Sequence, residues 1–74
     1  MERVLFDYSK LRGRIAEKCG SQKEYAKRLG ITEAALSHKL TGSSYFSQPE
    51  IERSKAILGI EPGQVSVYFF AEKI

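Results

Sequence analysis

The sequence predicts an all-α fold of five short helices. Three observations lead there. Apolar residues recur at helical spacing, as in Leu11, Ile15 and Cys19, which lays one stripe against a core. Residues that cap helix starts precede these stretches, and glycines close four of them: Gly20, Gly30, Gly42 and Gly59. Only one segment, Val65 to Phe70, has the β-branched and aromatic composition of a strand.

The first helix is expected to open at Asp7, whose carboxylate can accept orphan backbone N–H groups. Phe6 and Leu11 are spaced as a hydrophobic staple around that start. Gly13 weakens the helix by roughly 1 kcal/mol relative to Ala, and Gly20 ends it. Ser21-Gln22-Lys23-Glu24 forms a capping box at the head of the second helix, with Tyr25, Ala26 and Leu29 as its apolar positions. Gly30 stops that helix in a left-handed conformation that only glycine adopts cheaply. Thr32 caps the third helix, Ile31 and Leu36 form a second candidate staple, and Gly42 closes it. Ser47-Gln48-Pro49-Glu50 is another capping box, with Pro49 tolerated in the first turn. Ile51, Ile57 and Leu58 supply the apolar side of the fourth helix. Glu61-Pro62-Gly63 should start a fifth helix reaching about Phe69, because Pro suits a first turn. The alternative for this segment is a strand contributed to a dimer.

The chain has 74 residues and is 42% apolar, which gives room for one domain over 1–74 and one core. No apolar run approaches the ~20 residues of a membrane span. The opening residues lack the apolar region of a signal peptide, so a cytoplasmic protein is expected. Cys19 is the sole cysteine, which excludes an intrachain disulfide and reads as a small buried hydrophobe. One His, one Cys and scattered carboxylates offer no metal-ligand spacing, and no glycine-rich phosphate loop is present. Neither an enzyme nor a bound cofactor is expected.

The net charge of +3 is unevenly placed. Residues 10–39 hold eight bases (Lys10, Arg12, Arg14, Lys18, Lys23, Lys27, Arg28 and Lys39) against three acids, Glu17, Glu24 and Glu33. Residues 40–74 hold three bases and four acids. A basic half beside a neutral half suggests a polyanionic partner.

The informative stretch is Gln22 to Gly42. Two short helices joined through Gly30-Ile31-Thr32 form a helix-turn-helix unit at about 22–41. On the third helix Leu36 and Leu40 mark the buried side, while Ala34, Ser37, His38 and Thr41 cluster opposite. That face is small and polar, and fits a major groove. Gln22-x-x-x-Ala26-x-x-x-Gly30-Ile31-Thr32-x-x-x-Leu36 resembles the helix-turn-helix of the phage Cro and lambda-repressor-like family. The opening Phe6 to Ile15 and the ending Tyr68-Phe69-Phe70 resemble the small phage-encoded regulators of that family. Some of those are Cro-like repressors; others are modulators of repression, which bind a partner repressor's DNA-binding domain.

The resemblance implies a sequence-specific DNA-binding regulator with a lambda-repressor-like fold. Gln22 would hydrogen-bond a phosphate, and Thr32 would cap its helix and touch the DNA backbone. Glu33, Ala34, Ser37 and His38 would face bases, and Thr41, Ser43 and Ser44 would lie near phosphates. Lys23 and Lys39, from the basic half, join them as candidate contacts to duplex DNA. Such a protein should act as a homodimer, since one helix reads only a few base pairs. Tyr68, Phe69 and Phe70 are candidates for a dimer or partner interface, because a helix cannot bury three consecutive side chains. The chemistry of the third helix also supports an alternative. Glu33 accepts only from a cytosine amino group and repels phosphate, and Ala34 offers only a methyl contact. The alternative is an antirepressor that binds a partner repressor protein instead of DNA.

Overall fold

The computed structural model describes residues 5–73. It contains α1 (Ser9–Cys19), α2 (Gln22–Leu29), α3 (Glu33–Thr41), α4 (Gln48–Leu58) and α5 (Val65–Phe69), the last entered through a 3-10 turn over Pro62–Gln64. The final segment is thus helical, as Pro62 implied, and the strand alternative does not hold. The β-type pairing among the described residues is one antiparallel bridge, Phe6 to Glu72, which ties the two ends of the chain together.

Three of the expected caps form as read. Ser21, Thr32 and Ser47 each accept from the backbone N–H three residues on, at 3.1, 3.0 and 3.3 Å. At α4 the box is complete, because Glu50 Oε1 accepts from the Ser47 N–H at 2.8 Å. At α2 the return half is missing: the Glu24 carboxylate is taken by Arg28, one turn further on, at 2.8 Å. The first helix begins later than expected, with Tyr8 in the cap position. Asp7 still serves that end as a local turn, accepting from the Ser9 hydroxyl at 2.7 Å and the Ser9 N–H at 2.9 Å. The side-chain bond and then the backbone bond from Ser9 hold the exposed Asp7 carboxyl below its ordinary range.

Helix α2 packs against α1, α3 and α4, and α1 also reaches α4 and α5. The core combines Leu11 and Ile15 of α1, Tyr25, Ala26 and Leu29 of α2, Leu36 and Leu40 of α3, Leu58 of α4 and Phe69 of α5. Cys19 is half-buried at the edge of this core. Edge-to-face aromatic contacts extend it, from Tyr8 to Phe46 at 5.6 Å between ring centroids and from Phe46 to Phe69 at 5.3 Å. On α4 the expected apolar side is only half right. Leu58 is buried, Ile51 and Ile57 are half-buried, and the centre of the face is Ser54, which has no solvent exposure. Its hydroxyl donates to the Glu50 carbonyl at 2.8 Å and meets the hydroxyl of Tyr25. That pairing lets a full tyrosine lie in the core without an unsatisfied oxygen.

The turn between α2 and α3 depends on Gly30 at φ 85°, in the left-handed region. Its N–H and that of Ile31 both return to the Ala26 carbonyl, at 2.9 and 3.0 Å. These bonds satisfy the end of α2 and turn the chain at once into Thr32 and α3.

Arginines satisfy the other helix ends. Arg14 Nε donates to the Leu58 carbonyl at 2.8 Å and its terminal nitrogen to the Gly59 carbonyl at 3.0 Å, closing α4. Arg53 Nε donates to the Leu29 carbonyl at 3.1 Å, closing α2. Longer contacts run from Arg12 to the Leu40 carbonyl of α3 at 3.4 Å and from Arg28 to the Lys18 carbonyl of α1 at 3.5 Å. Each of the four arginines among the described residues therefore reaches the C-terminal carbonyls of a different helix. A cation at that end also suits the helix dipole.

Two predictions follow from this framework. Arg14→Lys should lower stability by about 1–2 kcal/mol in denaturant unfolding, because an ammonium cannot bridge two carbonyls as the guanidinium fork does. Burial pushes the Tyr25 hydroxyl up to about 12, a shift the Ser54 bond only partly offsets. The folded chain thus keeps a proton that the unfolded chain loses from about pH 10. Stability should fall as pH rises from about 10 to about 12, and Tyr25→Phe should make that fall measurably shallower.

Candidate functional site on the exposed face of the third helix

Helix α3 presents one open face. Leu36 and Leu40 are buried, Ala35 and Lys39 are half-buried, and Glu33, Ala34, Ser37, His38 and Thr41 are exposed. The periodicity of the sequence placed these residues correctly, and they lie together on one side. Ser43 is also exposed just beyond Gly42, and Ser44 is half-buried. The loop is held close to the helix by N–H bonds from Ser43 and Ser44 to the His38 carbonyl, at 2.8 and 3.3 Å.

The polar groups on this face are partly used within the chain. The Thr32 hydroxyl accepts from Ala35, and the Thr41 hydroxyl donates back to the Ser37 carbonyl at 2.9 Å. Thr41 therefore offers mainly its methyl group outward. Ser37, His38 and Glu33 make no side-chain hydrogen bond or ion pair among the described residues. The face thus carries one hydroxyl not engaged within the chain, one imidazole and one carboxylate, with no long donor.

Lys39 does not join them. Its ammonium donates to the Tyr45 carbonyl at 3.1 Å and pairs with Glu50 at 3.0 Å, and it lies 5.9 Å from the centre of the Phe46 ring. Both charged side chains are at least 85% shielded, with 14% and 13% exposure. Burial pushes the Glu50 carboxyl up, but the Ser47 N–H and the Lys39 ammonium outweigh it and hold it below its ordinary value. Lys39 is a strut between α3 and α4. Its charge makes it a candidate DNA contact in the sequence, whereas the partner that engages it lies eleven residues away.

The basic half divides in the same way. Arg12, Arg14 and Arg28 are committed to helix ends, Arg14 also to Glu17 and Arg28 also to Glu24. Lys10, Lys18, Lys23 and Lys27 are exposed and make no hydrogen bond or ion pair among the described residues. Lys10 lies in the first turn of α1, and the other three on the end of α1 and along α2. Gln22, expected to meet a phosphate, is half-buried in the first turn of α2.

Of the aromatic tail, Phe69 is in the core, Tyr68 is half-buried and Phe70 is half exposed, at 50%. The expectation that three consecutive aromatics cannot all be covered is met by Phe70. No helix among the described residues is long and apolar enough to cross a membrane.

Glu50→Gln should lower stability by about 2 kcal/mol at neutral pH, since it strands a shielded ammonium. Because the Glu50 carboxyl is depressed in the folded chain, its contribution is present above the unfolded value. It is lost as pH falls through the folded value. Acid titration of unfolding free energy should show this loss in the native chain, and a smaller one in Glu50→Gln.

Comparison with known proteins adds an independent line. The solution structure of the modulator of repression of the temperate bacteriophage TP901-1 from Lactococcus lactis is similar, with a TM-score of 0.77. It is 37% identical in sequence, and the match covers 88% of each chain. Among curated protein sequences none matches. A family model described as a protein of unknown function (DUF739) matches residues 4–72. The chain belongs to this DUF739 family and is similar to a phage modulator of repression along most of its length.

Proposed function

We propose that this chain is a phage-type antirepressor, a modulator that acts by binding the DNA-binding domain of a partner repressor. The observation that carries this reading is the 37% identity, over 88% of each chain, to a modulator of repression. The neighbour favours the antirepressor alternative over the Cro-like repressor reading. The chemistry of α3 agrees with it. A helix that reads bases relies on long donors such as Arg, Lys, Gln or Asn. Here the exposed face offers Glu33, Ala34, Ser37 and His38. A repressor's DNA-contacting surface is basic, and it would accept an unpaired carboxylate that duplex DNA would repel. The helix-turn-helix unit resembling the Cro and lambda-repressor-like family then serves as a protein-binding scaffold. The chain works by binding alone, with no chemistry of its own.

One observation favours a second reading. Lys18, Lys23 and Lys27 are exposed and unpaired among the described residues, so these side chains are free to meet phosphates. That contact would be independent of base sequence and would weaken steeply with salt.

The test adds the purified chain to a complex between a cognate phage repressor's DNA-binding domain and its operator. The antirepressor reading expects operator release at near-equimolar chain. It also expects selection of random duplex DNA by the chain alone to recover no motif. Recovery of a two-fold symmetric motif by the chain alone would sink it. Glu33→Lys sharpens the outcome: release of the operator should weaken at least tenfold, while affinity of the chain for any duplex DNA should rise.

A further inference from the structure

Residues 5–7 and 71–73 pair as a short antiparallel ribbon. The Asp7 N–H donates to the Ala71 carbonyl at 2.6 Å and the Lys73 N–H to the Leu5 carbonyl at 2.8 Å, on either side of the Phe6–Glu72 bridge. In this arrangement the bonds flank the bridged pair, so the N–H and C=O of Phe6 and of Glu72 point away from the ribbon. Neither residue's backbone has a hydrogen-bond partner among the described residues. Both edges of the ribbon therefore carry backbone groups that are not hydrogen-bonded among the described residues, the groups an added extended strand would use.

The surroundings of the ribbon are apolar. All four large hydrophobic residues that are exposed among the described residues lie on it or within one element of it: Leu5 at 47%, Tyr45 at 44%, Val67 at 41% and Phe70 at 50%. The Phe6 ring stands edge-on to Tyr45 at 5.9 Å and to Phe70 at 5.8 Å. A surface hollow bounded by Asp7, Lys10, Val67 and Ala71 adjoins one side.

We propose that the Leu5–Asp7 edge pairs with the same edge of a second copy of this chain, forming a two-fold symmetric dimer centred on Phe6. This goes beyond the antirepressor reading and does not depend on it. The choice of occupant rests on complementarity. About a two-fold axis an antiparallel strand meets itself, and the outward N–H and C=O of Phe6 are placed to exchange both bonds with Phe6 of the other copy. That pairing joins the exposed apolar side chains of both copies. The other edge is protected: self-pairing there would set Glu72 directly opposite Glu72, and like charges in that position are destabilising. Lys73 adds a further charge on that side, a common device against edge pairing. The contact is small, so association should be weak and visible only at high protein concentration.

Sedimentation equilibrium of the full chain, from about 10 μM to about 1 mM, should show the mass rising from monomer toward dimer. Amide hydrogen exchange in the same range should slow at Phe6 as concentration rises, and stay unchanged at Glu72. Phe70→Lys, an exposed substitution, should weaken dimerisation at least tenfold, and Glu72→Gln should leave it unchanged. A monomer at every concentration would overturn the proposal. So would a dimer without protection of the Phe6 amide, and so would tighter association of Glu72→Gln, which would assign the interface to the opposite edge. Protection of Phe6 that appears only when a repressor domain is added would give the edge to that partner and equally overturn self-pairing. The exchange measurement needs no variant, so the result stands even if Phe70→Lys fails to fold.

Discussion

The last carbonyls of an α-helix have no partner within the helix, and in a chain of four main helices these ends crowd a small core. Arginines from other helices answer this demand at each one. Arg14 and Arg53 make the shortest of these bonds, to Leu58 and Leu29, across 44 and 24 residues of sequence. Each bond does two things at once. It satisfies a carbonyl that burial would otherwise strand, and it fixes the position of one helix end against the flank of another. The helices are eight to eleven residues long apart from α5, too short to be stable in isolation. Their mutual placement must therefore come from packing and from such cross-links.

Helix α2 shows the consequence. It has eight residues and is packed by α1, α3 and α4. Its Tyr25 is fully buried and its hydroxyl is held by Ser54 of α4. Its end is closed by the Gly30 turn and by Arg53 of α4. Helix α3 then leaves α2 after three residues and is tied to α4 by the Lys39–Glu50 pair. The same carboxylate oxygen accepts from the Ser47 N–H, so one group caps α4 and anchors α3. The side of α3 opposite its exposed face is fixed in this way. A rigid face loses little conformational freedom on binding, which favours recognition by shape.

The sequence revealed the elements through local signals. Ser21, Thr32 and Ser47 announce helix starts because their bonds span three residues, and the same residues are caps in the structure. Buried and exposed sides of α3 followed from periodicity alone. What stayed hidden was set by distant partners or by close competition. Glu24 could have completed a capping box, but Arg28 lies within the same reach and carries charge. Asp7 was read as the cap itself, while the chain places it one residue earlier and uses it to hold Ser9. Ser54 carries no local signal in the sequence, because its role depends on Tyr25, 29 residues away. The arginines looked like a phosphate-binding set because charge is visible in sequence, whereas the helix ends they close are not.

This redistribution of charge bears directly on function. Eight bases between residues 10 and 39 suggested a broad polyanion surface. Three arginines and Lys39 are engaged within the fold, so the free positive charge of this stretch is left to Lys10, Lys18, Lys23 and Lys27, on α1 and α2. The face that would enter a groove carries instead an unpaired Glu33 at the head of α3. The positive end of that helix's dipole partly compensates the carboxylate. It does not supply the fork-shaped donors that distinguish one base pair from another. On the proposed reading, a surface of small side chains and one carboxylate meets the basic surface of a protein that itself binds DNA. On the same reading, the fold holds α3 in place and the chemistry of its exposed face decides what it meets.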